Sequence, residues 1–532
     1  MPPTQPRLLL VAVGLSLAAA FLAALGACGG EEPDQPPVQS DVPYDATGRL
    51  LVTPTRKLRE NPPNLVVLVI DTLRKDAVAV PGEDGGLMPY VTSLGKQGLY
   101  FRDAVAPCSW TVPSMASLFT GLLPSVHGND NPAKQPRLMD AVTTYSEILR
   151  ETHGYETAAY VAGPWLQGDS SLLQGFTRGS GDFALRGSKH ILEGFRKKRD
   201  KTRPFFLLLH TFEAHDPYGE EDHPWPKRPE GPGPHSDIDP ALVVEPWEIT
   251  RHFLIDRGAR LDLMKHHGRE VTRKVMRYTW DGWRDDPRPD VAADLRTAYT
   301  EGVRWVDTQV RSTVEQLEAW GLLENTVLVI TSDHGEAFGE HGMLGHARQL
   351  YDELVHIPLV MHGPAPFDGG RIVSGGVGLH DVLPTFLDYI GGEPLTFVQG
   401  RSFLPLLRGE SEGRPVFSEE WVTRDNTQAD VDRVVTSVRS PQWKYILTYD
   451  RLEGTVVEEA FDIVKDPGEL VDLAAGSGRI GKQPFDAAFC RAIEQARDRI
   501  WGSAENGNGL GTSPYGGGRA QVTSKRPVPC GK

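Results

Sequence analysis

Four residues of this 532-residue sequence have the types and positions needed to activate a hydroxyl. Asp71 follows the run NLVVLVI (Asn64 to Ile70), and Asp333 and His334 follow NTVLVITS. Both runs are continuous, apolar and β-branched, as buried central strands are, and ligands of open α/β sheets bind at the C-terminal ends of such strands. Thr111 lies in SWTVPSMASLFTG, where Pro113 suits a first helical turn, Met115, Ala116, Leu118 and Phe119 give a packing face, and Gly121 stops the helix. A hydroxyl there faces unpaired backbone N–H groups and the positive end of the helix dipole, which favour an anion beside it. Taken alone, the same pattern is also met by a simple Thr N-cap. Two carboxylates, one imidazole and one alkoxide make a divalent-metal set suited to manganese or zinc, with calcium and magnesium left open. Such an ion stabilises a Thr alkoxide and polarises a bound ester oxygen, which answers the weakness of Thr as a nucleophile. His215, His341 and His346 lie near these segments in the sequence, and His215 and His346 join Thr111 as catalytic candidates, for leaving-group protonation or oxyanion stabilisation.

The elements that must position these groups alternate along the chain. Met88 to Ala106 reads as a helix ending near Gly98 and a short strand. AVTTYSEILRETHGYETAAYVAG reads as a helix, a stop at Gly154 and a strand, and RPFFLLLHTFEAHDPY as a buried strand running into a loop with His215. Residues 219–290 turn rich in Pro, His, Trp and charge, as an insertion over one face of the sheet would. Helical spacing of Ala298, Val303, Val306, Val310, Val314 and Leu317 follows, then the strand before Asp333, the strand IPLVMHGP and the helix LHDVLPTFLDYIG. The expected fold class is α/β, a large mainly parallel sheet covered by helices on both faces. RPVFSEEW, RVVTSVRSPQWKYILTYD and EEAFDIV then read as a smaller antiparallel sheet, with helices at LVDLA and around Phe489 to Trp501. The domains so expected are 63–410 (catalytic, with the 219–290 insertion) and 411–501 (C-terminal), followed by a disordered tail, 502–532.

Formal net charge is −15, which argues against a nucleic-acid partner. Arg7, the apolar run from Leu8 to Leu25 and LGAC ending at Cys28 form a basic region, a hydrophobic region and a processing site. The four residues resemble a bacterial lipobox. That resemblance implies that residues 1–27 are a lipoprotein-type signal peptide and that lipidated Cys28 anchors the chain to a membrane, on the periplasmic side or the cell surface; an ordinary signal peptide or an uncleaved anchor is the alternative. The acidic, Pro-rich segment 28–62 reads as a disordered tether. With Cys28 modified, Cys108, Cys490 and Cys530 remain, which allows at most one intramolecular disulfide.

The ordered blocks PNLVVLVIDTLRKD, MPYVTSLGKQGLYF, SWTVPSMASLFTGLLPSVHG, GYETAAYVAGPW, FFLLLHTFEAHDPY, VLVITSDHGEAFGEHGMLGH, HDVLPTFLDYIG and WKYILTYD with FDIVKDPGELVDL, from Pro62 to Leu473, resemble the sulfatase family of the alkaline phosphatase superfamily. The resemblance implies the two-domain fold above and a metal held by Asp71, Thr111, Asp333 and His334. The departures are specific. Where the family has CxPSR or SxPSR and oxidises the Cys or Ser to formylglycine, this chain has TVPSM, with Thr111 at the nucleophile and Met115 at the Arg. No formylglycine is expected, because the β-carbon of Thr carries a methyl group. GKWHLG is replaced by GPWLQG, placing Pro164 and Leu166 at the Lys and His positions; His346 stands in place of a frequent Lys, and Thr72 in place of a second Asp. The resemblance therefore implies a metal-dependent hydrolase working through Thr111, with a phosphoester favoured over a sulfate ester and a small-molecule, glycan or lipid ester as substrate. The alternatives are a phosphotransferase that moves a phosphorylated headgroup to an envelope acceptor, and a non-catalytic binding lipoprotein.

Overall fold

The computed structural model describes residues 59–129, 138, 142–166, 171–181, 183–216, 218, 287–422, 433–475, 480, 483–505 and 530. The signal segment, most of the tether and nearly all of the 219–290 insertion lie outside the described residues. The principal elements are β1 (Asn64–Ile70), α1 (Pro89–Gln97), β2 (Leu99–Phe101), α2 (Thr111–Thr120), β3 (Glu156–Val161), β4 (Arg178–Ser180), α3 (Ser188–Lys198) and β5 (Phe205–Thr211). Next come α4 (Pro289–Ala319), β6 (Thr326–Thr331), β7 (Leu359–His362), β8 (Arg371–Val373) and α5 (Val382–Tyr389). β9 (Val416–Val422), β10 (Arg433–Arg439), β11 (Trp443–Asp450), β12 (Thr455–Asp462) and α6 (Ala487–Glu505) complete them.

The large sheet has eight strands in the order β8-β2-β7-β6-β1-β5-β3-β4. All run parallel except β7, which is antiparallel to both neighbours. β1 is central and buried on both faces because its side chains alternate. Leu65, Val67 and Val69 pack with α2 and α5, whereas Val66, Leu68 and Ile70 pack with α1, α3 and α4. The same alternation sends Phe206 and Leu208 of β5, and Val327 and Val329 of β6, to the α2 face. The smaller sheet, β9-β10-β11-β12, is antiparallel throughout. One face joins the α2-side core through Val435, Ile446 and Phe461, and the other packs Val438, Tyr445 and Leu447 on Phe489, Ile493 and Ala496 of α6.

Three expectations are corrected. LVDLA (Leu470 to Ala474) forms bends and turns, with Leu470 81% exposed. Five residues are too few to offset the cost of a helix nucleus without a packed face. The helix before Gly154 is one α-turn (Tyr145–Glu147) begun by a capping box between Thr144 and Glu147, and it continues as a π-turn (Ile148–Thr152). α6 runs to Glu505, past the expected start of the tail, and Cys530 within that tail is joined to Cys490. Cys108 is the buried free thiol among the described cysteines.

Candidate active site

Three neighbouring strands, β5, β1 and β6, present polar groups at their C-terminal ends. Asp71 directly follows β1, its N–H donating to the Thr211 carbonyl at 3.0 Å. His210 is the penultimate residue of β5 and lies in register with Val69. By alternation it shares the α2 face with Phe206 and Leu208. Asp333 and His334 come two and three residues after β6. The turn that carries them is tight: a Cβ at Gly335 would lie 2.0 Å from the Glu353 carbonyl oxygen, so only glycine fits. Beyond Asp71 the chain leaves β1 through Thr72 at φ 58, a conformation costly for a β-branched residue. It is held by the Thr72 hydroxyl donating to the Asp71 carbonyl (2.7 Å) and the Tyr299 hydroxyl donating to the Thr72 carbonyl (3.0 Å).

α2 brings Thr111 to this edge. All ten of its residues are buried, and Leu118 and Phe119 alone contribute about 2 kcal/mol each by that burial. Gly121, at φ 70, ends it with its N–H on the Ser117 carbonyl. The N-cap is Trp110 and no side chain caps the helix, so Thr111 is its first residue. The Thr111 hydroxyl instead donates to Asp71 Oδ2 (3.3 Å) and lies 3.4 Å from His334 Nε2.

Asp71, His210, Asp333 and His334 are fully buried. His334 Nε2 is 3.5 Å from Asp71 Oδ1 and 3.6 Å from Asp333 Oδ2. His210 Nε2 is 3.6 Å from Asp71 Oδ2 and 3.8 Å from Asp333 Oδ2. These separations are too long for hydrogen bonds, and Asp71 Oδ1, Asp333 Oδ2 and both His210 nitrogens have no hydrogen-bond partner. Buried polar atoms left in that state call for a ligand. Two atoms each about 2.1 Å from one ion lie within about 4.2 Å of each other, so the cluster fits a shared divalent cation. Asp71, His210 and Asp333 have one ligand atom each within 4.8 Å of one another. His334 Nδ1 sits 2.9 Å from the Gly335 carbonyl, which places its proton there and leaves the Nε2 lone pair toward the cluster. Burial lowers the His334 pKa to about 4, keeping the ring neutral. Burial and the Asp333 charge push Asp71 well above the usual carboxylate range. For Asp333, burial is outweighed by His334 and His210, and its pKa stays low. Two adjacent buried carboxylates share a proton in this way unless a cation neutralises both.

His346 borders the cluster, its ring 4.6 Å from that of His334 and 5.1 Å from that of His215. Its Nδ1 lies 2.9 Å from Glu336 Oε1, and although burial opposes the charge, Glu336 outweighs it and raises the His346 pKa. His215 stacks on Phe212 with centroids 3.9 Å apart, its Nδ1 2.8 Å from Asp216 Oδ1. His341 turns elsewhere, with Nδ1 2.8 Å from Glu353 and Nε2 3.2 Å from the Glu469 carbonyl. The structure thus brings Asp71, Thr111, Asp333 and His334 together, sets His346 and then His215 beside them, and engages His341 in other contacts. His210 and Glu336 escaped the sequence reading. Position at the end of the FFLLLH run, on the Phe206 and Leu208 side, was the available signal for His210. Met115 and Leu166 are buried in the apolar α2-side core.

The sulfatase family model matches residues 63–392, and the model for the C-terminal part of N-sulphoglucosamine sulphohydrolase matches residues 339–480. A Delta 4,5-hexuronate-2-O-sulfatase of Bacteroides thetaiotaomicron is 25% identical over 453 residues, covering 77% of this chain and 84% of the relative. A solved structure in complex with D-glucosamine-2-N,6-O-disulfate superposes with a TM-score of 0.61 at 20% identity, over 82% of this chain and 98% of the other. The phosphonate monoester hydrolase of Agrobacterium radiobacter superposes with a TM-score of 0.58 at 18% identity, over 84% and 96%. With the family model spanning the large sheet and every strand end that carries the cluster, the chain belongs to the sulfatase family of ester hydrolases.

Proposed function

We propose that this chain is a metal-dependent hydrolase that attacks a phosphoester through Thr111, with sulfate esters the poorer substrates. The observation that carries the reading is the Thr111 hydroxyl, 4% exposed, within 3.4 Å of both Asp71 and His334 in a cluster of unpaired ligand atoms. Asp71, Thr111, Asp333 and His334, with His210 added, would hold the cation. Two imidazoles among the donors favour zinc over calcium. Bound there, a divalent ion stabilises an alkoxide and polarises an ester oxygen.

The chain's own groups have separate tasks in this scheme. Thr111 Oγ1, its hydroxyl proton passed to solvent, forms the new bond to phosphorus as the bond to the leaving oxygen breaks. His346, whose charged form is favoured by Glu336 2.9 Å from its Nδ1, would deliver a proton to that oxygen. Water then attacks the phosphorus of the Thr111 ester as the bond to Oγ1 breaks, and the proton it gives up restores His346; a diester substrate leaves as its phosphate monoester. The phosphate preference is supported by Met115 and Leu166, which fill core at positions where the family places charged sulfate contacts. It is also in keeping with the phosphonate monoester hydrolase among the fold neighbours. The organic part of the substrate would be a glycan, a lipid or a small alcohol, since named relatives act on sulfated sugars. An exported protein, lipid-anchored at Cys28 in the cell envelope, suits both the LGAC processing site and the Cys490–Cys530 disulfide.

Thr111→Ala is expected to lower kcat on bis(p-nitrophenyl) phosphate by about 10³-fold or more while the purified protein keeps its metal content. Turnover equal to the parent, or a parent enzyme faster on p-nitrophenyl sulfate than on phosphate esters, would overturn the corresponding half of the reading.

A further inference from the structure

The segment that delivers Thr111 is also gripped from the smaller sheet. β9, the edge strand of that sheet, runs beside residues 106–109 and bonds to each of them. The Ser418 hydroxyl donates to the Ala106 carbonyl (2.6 Å), and the Glu419 N–H donates to the Pro107 carbonyl (2.9 Å). One oxygen of the buried Glu420, Oε2, accepts from the Cys108 thiol (3.1 Å), the Ser109 N–H (3.3 Å) and the Ser109 hydroxyl (2.5 Å). From the other side the Ala347 N–H, next to His346, donates to the Ser109 carbonyl (3.0 Å). The Glu419 carboxylate accepts the Ser125 N–H (2.8 Å) in the short helix Pro124–His127 after α2, so β9 holds the chain on both sides of α2.

We infer that Glu420 is a positioning residue for Thr111, fixing the Cys108–Ser109 backbone so that the Thr111 hydroxyl arrives at Asp71 and His334. Three donors on one carboxylate oxygen leave residues 108 and 109 little freedom, and Trp110 then carries the chain straight into the helix. Every one of the three donors precedes Thr111 by two or three residues, and none is a member of the metal-ligand cluster. The C-terminal sheet thereby becomes part of the catalytic apparatus. The inference rests on Thr111 as the nucleophile.

The test compares Glu420→Ala, Glu420→Gln, Ser109→Ala and Thr111→Ala on bis(p-nitrophenyl) phosphate, with metal content and melting temperature measured on each. Misplacement of a reacting group by about 1 Å costs on the order of 100-fold. Glu420→Ala should therefore lose about 100-fold in kcat with KM within about threefold and metal content unchanged. Glu420→Gln, whose amide oxygen still accepts from Ser109, should recover most of that loss, and Ser109→Ala should fall between. A kcat within about threefold of the parent in Glu420→Ala, beside an inert Thr111→Ala, overturns the inference alone. Turnover by Thr111→Ala overturns the nucleophile reading itself. If Glu420→Ala fails to fold, Ser109→Ala and Glu420→Gln decide: parental kcat in Ser109→Ala, or a Gln variant as slow as Thr111→Ala, counts against it.

Discussion

Both ring nitrogens of His210 are buried without a hydrogen-bond partner, a state that leaves its donor and acceptor unsatisfied at a cost of about 1–3 kcal/mol each. A residue kept so at the end of a central strand, 3.6 Å from Asp71 and 3.8 Å from Asp333, is explained by a ligand that touches all three. A borderline ion such as zinc readily accepts imidazole nitrogen, whereas calcium and magnesium prefer oxygen throughout. His210→Ala should therefore weaken zinc binding by at least about 100-fold in a chelator competition, with a much smaller change for calcium. Unchanged zinc affinity in the variant would remove His210 from the ligand set. At this scale the sequence was legible wherever a polar residue came at the C-terminal end of an apolar run, as with Asp71 and Asp333. His210 was hidden because it lies inside its strand, and only the sheet's strand order puts it beside Asp71. Glu336 was equally hidden, since its meaning depends on the fold returning His346 to within 2.9 Å of it.

Among the elements, α2 depends on a contact that reports on pH. His127, in the short helix Pro124–His127 after α2, has Nε2 3.0 Å from the Ser117 hydroxyl, and Nδ1 accepts the Asn129 N–H at 3.0 Å. Burial lowers its pKa from 6.5 to about 3. The folded ring is thus neutral where the unfolded ring takes up a proton, so its contribution is fully present above pH 6.5 and is lost as pH falls from 6.5 toward 3. Urea midpoints should decline across that window, and His127→Gln, which cannot be protonated, should decline less by an amount on the order of a few kcal/mol. Parallel curves for parent and variant would show that His127 does not carry this linkage. Elements with long apolar runs or sustained helical spacing, β1, β5, β6 and α4, were legible because burial on both faces or along one stripe writes a strong pattern. The π-turn at Ile148–Thr152 and the turns after Glu469 were not, since short segments take their shape from tertiary contacts. Glu469 itself adopts φ 52 and accepts the Asp352 N–H across the two sheets.

On the scale of the whole molecule, the C-terminal sheet is fastened twice. Toward the large sheet, fully buried Lys444 pairs with Asp352 (2.7 Å), as well as with Glu469 of its own C-terminal part (3.1 Å), and Arg439 pairs with Asp103 and Asp352. Away from it, α6 covers the outer face, and the Cys490–Cys530 disulfide ties that helix to a residue 40 positions on. Closing a loop of that length removes chain entropy worth about 4 kcal/mol from the unfolded state. Because β9 of the same sheet clamps the segment before Thr111, loss of the tie should loosen the catalytic side as well as the C-terminal one. No helix among the described residues is long and apolar enough to cross a membrane; the anchor proposed is lipidated Cys28. Protein recovered from the envelope in the detergent phase should then carry the disulfide by intact mass. Cys28→Ser should move it to the aqueous phase with the disulfide unchanged. Cys490→Ser with Cys530→Ser should melt at least about 5 °C lower and lose activity at a lower temperature than the parent. Free thiols at 490 and 530 in the envelope form would contradict export into an oxidising compartment, and an unshifted melting temperature would show that α6 is held by packing alone.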